Sequence, residues 1–298
     1  MSSLHTLPPG IPGIATFFAT PDGLTRLSIA TPLSTAAVIL EGAHVTHFQP
    51  HGQAPLLFLS GSSHFAPGRP IRGGVPVCFP WFSAHASQPE LPAHGFARTT
   101  RWTVESLAGS EETGVTAVLS LASDETTRAQ WPHDFLARLR VEVTRELRLT
   151  LEVENTGTAP FSYEEALHTY FAISDAREVS VTGLEGAAYL DKLDASQRKE
   201  LGTTPLRFVG ETDRIFPANT ATCVIHDPGY PRRIVVEKSG SRSTVVWNPW
   251  IAKAAAMADF GDQEWPSMLC IETANVGRDA ATLAPGERHV MTAVIRLD

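Results

Sequence analysis

The fold is decided most clearly by residues 139–153, LRVEVTRELRLTLEV. Apolar and polar side chains alternate along this stretch, with Leu or Val at every second position on both sides of the letters TRE. A period of two is typical of antiparallel strands with one buried face and one more polar face. The interruption at Arg145 and Glu146 predicts a turn between two strands. Asn155-Thr156-Gly157 then ends the second strand with residues that favour turns.

Similar apolar segments recur along the rest of the chain. We predict further strands over residues 24–30, 36–40, 45–49, 102–107, 116–121, 179–183, 222–226, 233–237, 243–247, 268–272 and 290–297. Helical periodicity is scarce, and residues 251–260 alone predict a short helix. Many strands separated by frequent turns predict an all-β fold, a large antiparallel β-sandwich with few short helices.

The chain of 298 residues carries no Gly/Ser linker, internal repeat or low-complexity block. We therefore predict a single domain over residues 1–298, with residues 1–13 as a loose lead-in. Residues 60–98 and 191–216 predict two long loops. Because loops on a β-sandwich commonly carry function, we expect the site there.

Composition narrows the classes of function. Lys and Arg number 24 against 32 Asp and Glu, a net charge of −8, which disfavours nucleic acid because duplex binding normally needs a basic face. The longest apolar run, residues 75–82, is far shorter than the roughly 20 residues that cross a bilayer. The first residues lack the basic and apolar regions of a signal peptide. Cys78, Cys223 and Cys270 show no metal-like spacing, so we predict a cytoplasmic protein without a disulfide framework.

Two segments carry candidate binding residues. Residues 72–82, RGGVPVCFPWF, place Arg72 next to two glycines that let the backbone approach a ligand. The planar fork of donors on an arginine suits hydroxyls, carboxylates or phosphates. His94 and Arg98 are four residues apart and can face one cleft. Neither segment need bind a ligand. Arg72 can be a solvated arginine at a turn, and His94 and Arg98 can be a loop histidine and a surface arginine.

His168 and Glu272 are the candidate acid and base. Glu272 ends an apolar run, and a buried carboxylate is costly unless it is paired. Burial also raises the pKa of a carboxyl into the range that suits a general base. Either residue can instead belong to the core with its hydrogen bonds satisfied. Asp213 lies in a polar segment that by itself indicates only a turn, and Trp247 can stack on a sugar or fill the core.

Motifs for nucleotide binding, zinc proteolysis and serine hydrolysis do not occur in the sequence. Two further arrangements stay open. Cys78 can act as a nucleophile with His94, although its apolar neighbours do not favour a thiolate. His94, His168 and Glu272 can share a metal ion. Taken singly, these segments do not decide a function.

Seven fragments together resemble a known family. In chain order they are RGGVPVCFPWF, LPAHGFAR, ALHTYF, TDRIF, VVWNPW, MADFGD and CIETAN. Their order and spacing, over about residues 40–276, resemble the D-hexose-6-phosphate mutarotases, also called glucose-6-phosphate 1-epimerases. These belong to the aldose 1-epimerase, or galactose mutarotase-like, superfamily. The resemblance implies a large antiparallel β-sandwich with its site in a cleft on one sheet.

The resemblance also implies roles for particular residues. His168 and Glu272 match the family's catalytic histidine and glutamate. The substrate-binding positions are matched by Arg72, Arg98 and Asp213, and His94 lines the same pocket.

Two positions depart from the family pattern. Ala93 stands where some members have Gln, so one ligand hydrogen bond is expected to be missing or supplied otherwise. Ser83-Ala84 stands where Gly-Pro is more usual, which leaves the path of that loop open. Neither departure touches the expected acid or base.

The implied activity is the interconversion of α and β anomers of hexose 6-phosphates, chiefly glucose 6-phosphate, without a cofactor or metal. We expect Glu272 to take the proton of the C1 hydroxyl and His168 to protonate the ring oxygen. The nearby carboxylate is expected to raise the pKa of His168 above about 6.5. Arg72 and Arg98 would hold the phosphate, and Asp213 the sugar hydroxyls. We expect a monomer whose partner is this small molecule, not nucleic acid or a membrane.

Three rival functions stay open at this point. The first is a mutarotase for unphosphorylated aldohexoses, which would share the acid and base. The second is a carbohydrate-binding or sensor protein without catalysis. The third is a polysaccharide lyase or hydrolase, although the usual pair of hydrolase carboxylates is not evident.

Overall fold

A computed structural model describes residues 7–298. These residues form 22 β-strands and two α-helices, α1 (Glu125–Gln130) and α2 (Trp250–Ala255). The strands are β1 (Ala15–Ala19), β2 (Thr25–Ala30), β3 (Ser34–Ile39), β4 (His44–Pro50), β5 (Val77–Cys78), β6 (Thr103–Ser110), β7 (Gly114–Ala122), β8 (Phe135–Val143), β9 (Leu147–Asn155), β10 (Phe161–Tyr163), β11 (Glu165–Leu167), β12 (Tyr170–Ala172), β13 (Ser180–Thr182), β14 (Ala188–Asp191), β15 (Gln197–Glu200), β16 (Thr212–Pro217), β17 (Cys223–Asp227), β18 (Arg232–Ser239), β19 (Ser243–Asn248), β20 (Met268–Asn275), β21 (Ala281–Leu283) and β22 (Arg288–Leu297).

Two large antiparallel sheets carry most of the strands. The cleft sheet has the order β15-β14-β16-β19-β20-β11-β5, with β12 also paired to β20. The back sheet has the order β13-β17-β18-β22-β9-β8-β7-β6. Strands β1 to β4 form a smaller sheet, and β10 pairs with β21. The predicted all-β class with few short helices is confirmed.

The alternation that defined residues 139–153 has a direct structural cause. Along β8 and β9 every second side chain is buried, and Leu139 pairs with Leu151 across the two strands. These side chains belong to the main apolar core, which also receives Val246 and Ile271 from the cleft sheet. Burial of apolar surface in this core provides the driving force for the fold.

The central strands of the cleft sheet are largely buried on both faces, which explains why they lack a clear alternation. All eight residues of β20 are buried. On β19, Val246 packs in the main apolar core. Its neighbour Val245 belongs to a smaller apolar cluster on the opposite face. That opposite face carries the polar residues of the cleft.

Several predicted bounds differ from the structure. The helix expected over residues 251–260 begins at Trp250 and ends at Ala255. The helix α1 was not predicted, although Asp124 and Thr127 form a capping box at its start. Residues 191–216 are not one long loop, because β15 and most of β16 lie within them.

The predicted lead-in over residues 1–13 lies partly outside the described residues. Within the described part, the amide of Ile11 bonds to the carbonyl of Ala15 and fixes the entry into β1. The extent of the single domain stays a prediction. Among residues 7–298, no helix combines the length and the apolar character that crossing a membrane requires.

A partly buried pair, Glu165 of the cleft sheet and His289 of the back sheet, joins the two large sheets. His289 Nε2 lies 3.2 Å from Glu165 Oε1, and the side chain of Glu165 is fully buried. The hydrogen bond to Glu165 raises the pKa of His289 above 6.5, although burial lowers it. A histidine whose pKa is higher in the folded state stabilises that state fully below the unfolded pKa. This stabilisation is lost as the pH rises through the folded pKa.

We therefore expect the free energy of unfolding to fall as the pH rises from 6 through the folded pKa of His289. The fall should be smaller in His289→Asn, because asparagine does not titrate there. Urea unfolding midpoints measured at several pH values for both proteins test this. Equal pH dependence in the two proteins would show that this pair does not set it.

Candidate active site

A cleft of about 320 Å³ opens on the outer face of the cleft sheet. Its polar and charged lining residues are Arg72, Ser83, His94, His168, Tyr170, Lys192, Asp213, Lys253 and Glu272. Phe82, Val245, Trp247 and Met257 supply apolar walls. The cleft thus brings together five of the six predicted site residues, with Arg98 as the exception.

The register of the cleft sheet places His168 opposite Glu272. Leu167 pairs with Thr273 and Tyr170 pairs with Cys270, so the two residues between them on each strand face one another. His168 Nε2 lies 3.2 Å from Glu272 Oε1. Glu272 is 1 % exposed and His168 8 %. The predicted pair therefore forms at the floor of the cleft.

One atom of each partner has no protein hydrogen bond. His168 Nδ1 and Glu272 Oε2 are buried and have no partner among residues 7–298. A buried polar atom without a partner is costly, and such atoms in native proteins call for a functional explanation. A bound hydroxyl compound would satisfy them.

The expectation that the carboxylate raises the pKa of His168 is wrong. Burial, followed by the positive charges of Arg72 and Arg98, lowers the pKa of His168 from 6.5 to about 3. Burial, with the negative charge of Asp213, raises the pKa of Glu272 well above 4.5. Both shifts favour the neutral forms of the two side chains.

Arg72 is held firmly at one side of the cleft. Its Nη2 lies 3.0 Å from Asp259 Oδ2 and its Nε 3.2 Å from the same oxygen. Its Nη1 donates to the Tyr170 hydroxyl at 3.1 Å. The ring of Tyr170 in turn stacks on His168, with centroids 4.8 Å apart. Arg72 is thereby held beside the ring of Tyr170 that stacks on His168, with part of its charge compensated.

His94 lines the same cleft, and its tautomer is fixed. The amide of Ser83 donates to His94 Nδ1 at 3.3 Å, so the hydrogen of the neutral ring lies on Nε2. Burial and the charge of Arg98 lower the pKa of His94 well below 6.5, which keeps the ring neutral. Both Ser83 and His94 have positive φ, 63° and 64°, a strained conformation that clusters at functional sites. His94 is therefore placed as a neutral donor.

Asp213 lies on a strand, not in the turn that its segment indicated. It belongs to β16 and pairs with Trp247 on β19, so both side chains face the cleft. The sequence segment indicated a turn, but residues 212–217 form a strand because they pair with β19. Burial raises the pKa of Asp213, while the charge of Lys192, 3.4 Å away, lowers it.

Arg98 does not line the cleft. Its Nη2 donates to the carbonyl of Ala93 at 2.7 Å. Its Nε is buried and has no partner among residues 7–298. Its charge lowers the pKa of both His94 and His168. A ligand contact by Arg98 stays a prediction.

Sequence reasoning missed Lys192, Asp259, Tyr170 and Lys253. Asp259 and Tyr170 lie inside the fragments MADFGD and ALHTYF, so their partnership with Arg72 could have been suspected from the resemblance. No signal in the sequence singles out Lys192, because it lies in a segment of alternating charges.

The geometry supports neither a Cys78 nucleophile paired with His94 nor a metal ion shared by His94, His168 and Glu272. Cys78 Sγ does lie 3.5 Å from His94 Nδ1. Burial, however, raises the pKa of this thiol far above neutrality, and the ring nitrogen already accepts from Ser83. Within residues 7–298, no three His, Cys, Asp or Glu side chains are grouped so that they could hold a metal ion.

Comparisons with known proteins agree with this cleft. The family model described as "Aldose 1-epimerase" matches residues 25–296. The chain is similar to a "Putative glucose-6-phosphate 1-epimerase" of Cenchrus ciliaris, 40 % identical over 90 % of this chain and 83 % of that protein. A protein of Escherichia coli strain K12 with the same name is 38 % identical over 85 % of this chain and 84 % of its own length.

A solved structure gives the same result for the fold. The crystal structure of YeaD from Salmonella typhimurium, described there as a "putative mutarotase", superposes with a TM-score of 0.89 at 31 % identity. The match covers 95 % of this chain and 93 % of that one. The fold is that of a carbohydrate epimerase. The chain belongs to the aldose 1-epimerase family.

Proposed function

We propose that this protein interconverts the α and β anomers of hexose 6-phosphates, chiefly glucose 6-phosphate. The observation that carries the proposal is the buried pair of His168 and Glu272, 3.2 Å apart at the floor of a cleft with cationic walls. The names of the relatives from Cenchrus ciliaris and Escherichia coli point to the same reaction.

The reaction opens and recloses the pyranose ring. A base takes the proton of the C1 hydroxyl while an acid protonates the ring oxygen, and the C1–O5 bond breaks to leave a free aldehyde. Rotation about C1–C2 presents the other carbonyl face, and closure reverses the proton transfers. Glu272 is the base at O1 and His168 the acid at O5 in this scheme. One proton shared by the two residues is enough for the full cycle.

Substrate binding would prepare the pair for this chemistry. A phosphate brings negative charge towards the arginines that lower the pKa of His168. Binding therefore raises that pKa and favours transfer of the shared proton from Glu272 to His168. The result is a carboxylate base beside an imidazolium acid.

The other predicted residues bind the sugar in this scheme. Arg72 and Arg98 hold the phosphate through charge-assisted hydrogen bonds. Asp213 accepts from sugar hydroxyls, and His94 donates through Nε2. The protein acts as a monomer in the cytoplasm, with the sugar phosphate as its partner instead of nucleic acid or a membrane. The net charge of −8 is consistent with a small ligand drawn to a local cationic site.

Replacing Arg98 by Ala is expected to raise the KM for glucose 6-phosphate about tenfold or more and to leave the KM for glucose unchanged. A charge-assisted hydrogen bond contributes roughly 1.5–3 kcal/mol. Steady-state anomer exchange, followed with glucose 6-phosphate and with glucose, measures the KM for each sugar. Arg98→Gln is the matched variant, because it can still donate to the Ala93 carbonyl while it lacks the charge. Equal increases in KM for the two sugars would contradict a phosphate contact.

The direct experiment is anomer exchange on glucose 6-phosphate, followed by NMR saturation transfer, with glucose as the parallel substrate. Acceleration on the phosphosugar alone is the expected result. Acceleration on both sugars would keep the acid–base pair and shift the function to a mutarotase for free aldohexoses. Binding without acceleration would leave a carbohydrate-binding protein and overturn the proposal.

A further inference from the structure

Lys192 reaches into the cleft from the end of β14. Its Nζ lies 2.9 Å from Ser83 Oγ and 3.4 Å from Asp213 Oδ2, and it stands over the ring of Phe82. Its side chain is 28 % exposed, so a bound molecule can reach it. The backbone is fixed at this point, because the side chain of Asp191 accepts from the amide of Leu193.

The charge of Lys192 is only loosely compensated. A close ammonium–carboxylate contact is about 2.7–2.9 Å long, whereas the contact with Asp213 measures 3.4 Å. Its shorter contact, with Ser83, involves a neutral hydroxyl. An ammonium group carries three donors, so at least one of them is unused here.

Arg72, the arginine that lines the cleft, is more fully engaged. Arg72 donates three times to the two oxygens of Asp259, at 3.0 to 3.2 Å, and once to Tyr170. Arg98 donates to the Ala93 carbonyl and is not among the residues that line the cleft. Lys192 is therefore a lining cation that can turn to an anion without breaking a tight ion pair.

Its position fits one end of a sugar whose other end meets the catalytic pair. Asp213 and Glu272 stand on β16 and β20, with β19 between them, which separates their strands by about 10 Å. This leaves room for a pyranose ring between them. Lys253 lines the same end, and its charge also acts on Asp213. An anionic group at this end would thus meet two ammonium groups.

We propose that Lys192 is a further substrate-binding residue of this cleft and that its ammonium group contacts the 6-phosphate of the bound sugar. This inference rests on the proposed function for the identity of the ligand. Ser83 and Asp213 hold the ammonium in the arrangement that the structure shows. When the phosphosugar binds, Lys192 turns to the phosphate and leaves Asp213 to accept from the sugar hydroxyls.

The test compares equilibrium binding of glucose 6-phosphate and of glucose, measured by titration of the full chain. Lys192→Met keeps an unbranched side chain over Phe82 and removes the charge. We expect it to weaken binding of glucose 6-phosphate about tenfold to a hundredfold and to leave binding of glucose within about twofold. Lys192→Arg should retain most of the preference, because it restores the charge and the donors.

Arg198→Met is the matched control. Arg198 lies exposed on β15, six residues along the same hairpin and outside the cleft lining, and its loss changes the net charge equally. This control should bind both sugars as the natural chain does. An equal loss with Arg198→Met would mean that the effect is one of overall charge and would overturn the assignment.

Binding and exchange together separate this inference from the proposed function. Full exchange activity in the natural chain with unchanged binding in Lys192→Met would overturn the role of Lys192 alone. Selective loss of phosphosugar binding in Lys192→Met, in a protein that does not accelerate exchange, would support Lys192 and overturn the proposed reaction. A natural chain that does not bind glucose 6-phosphate would overturn both.

Discussion

Glu272→Gln is expected to lower kcat for anomer exchange on glucose 6-phosphate about a hundredfold or more. Glutamine keeps the shape of the side chain but neither accepts nor releases the catalytic proton, and general acid–base terms are typically of this size. His168→Asn should have an effect of similar size, because it removes the other half of the proton relay. NMR saturation transfer at matched protein concentration measures both.

Glu165→Gln is the matched control for this experiment. Glu165 is also fully buried, but it lies outside the cleft lining and pairs with His289 and Asn275. It should retain its kcat once thermal melting has shown that the variant is folded. If Glu272→Gln retained full activity, the assignment of the base would be wrong.

The double variant Glu272→Gln/His168→Asn tests whether the two residues act as one unit. Residues that act as one unit in catalysis are strongly non-additive. Because a single proton moves between Glu272 and His168, removal of both should slow exchange little more than removal of one. Losses that multiply would instead indicate that the two residues act in separate steps.

Much of the fold could be predicted because local patterning and global packing agree. The strand pair β8 and β9 shows this best: each alternating Leu or Val side chain enters the main core, and the turn falls at the interruption in the pattern. The structure of the cleft sheet was harder to predict from the sequence. Its strand β20 is buried on both faces, so its apolar run marks a buried segment without giving the direction of Glu272.

The site itself was predictable as a set of residues but not as an electrostatic system. The resemblance supplied His168 and Glu272, yet the pKa of His168 has the opposite shift from the one expected. That error arose because burial and the arginine charges act on His168 more strongly than one carboxylate does. Lys192 was missed for a related reason. The role proposed for it depends on two contacts that the sequence does not show. Ser83 is 109 residues away, and Asp213 lies on a different strand.

Gly95 lies at a close backbone approach that supports one wall of the cleft. It pairs with Phe79 in a parallel bridge, directly after His94, and has a φ of 74°. A Cβ atom at this position would lie 1.9 Å from the carbonyl oxygen of Phe79 and 2.7 Å from the nitrogen of Pro80. Because these are backbone atoms, they cannot move aside by a side-chain rotation. The wall that carries His94 and Arg98 would have to shift.

Gly95→Ala is therefore expected to lower the free energy of unfolding by about 3–5 kcal/mol, from the left-handed backbone and the steric overlap together. Gly52→Ala isolates the first contribution. Gly52 has nearly the same φ, 75°, but an added Cβ would have no atom within 4 Å. It should cost only about 1–2 kcal/mol, and the change in unfolded-state entropy is common to both variants. Urea unfolding of the two proteins measures the difference. Similar small losses at both positions would mean that the backbone of Phe79 does not approach Gly95 closely, and the wall beneath His94 would need a different explanation.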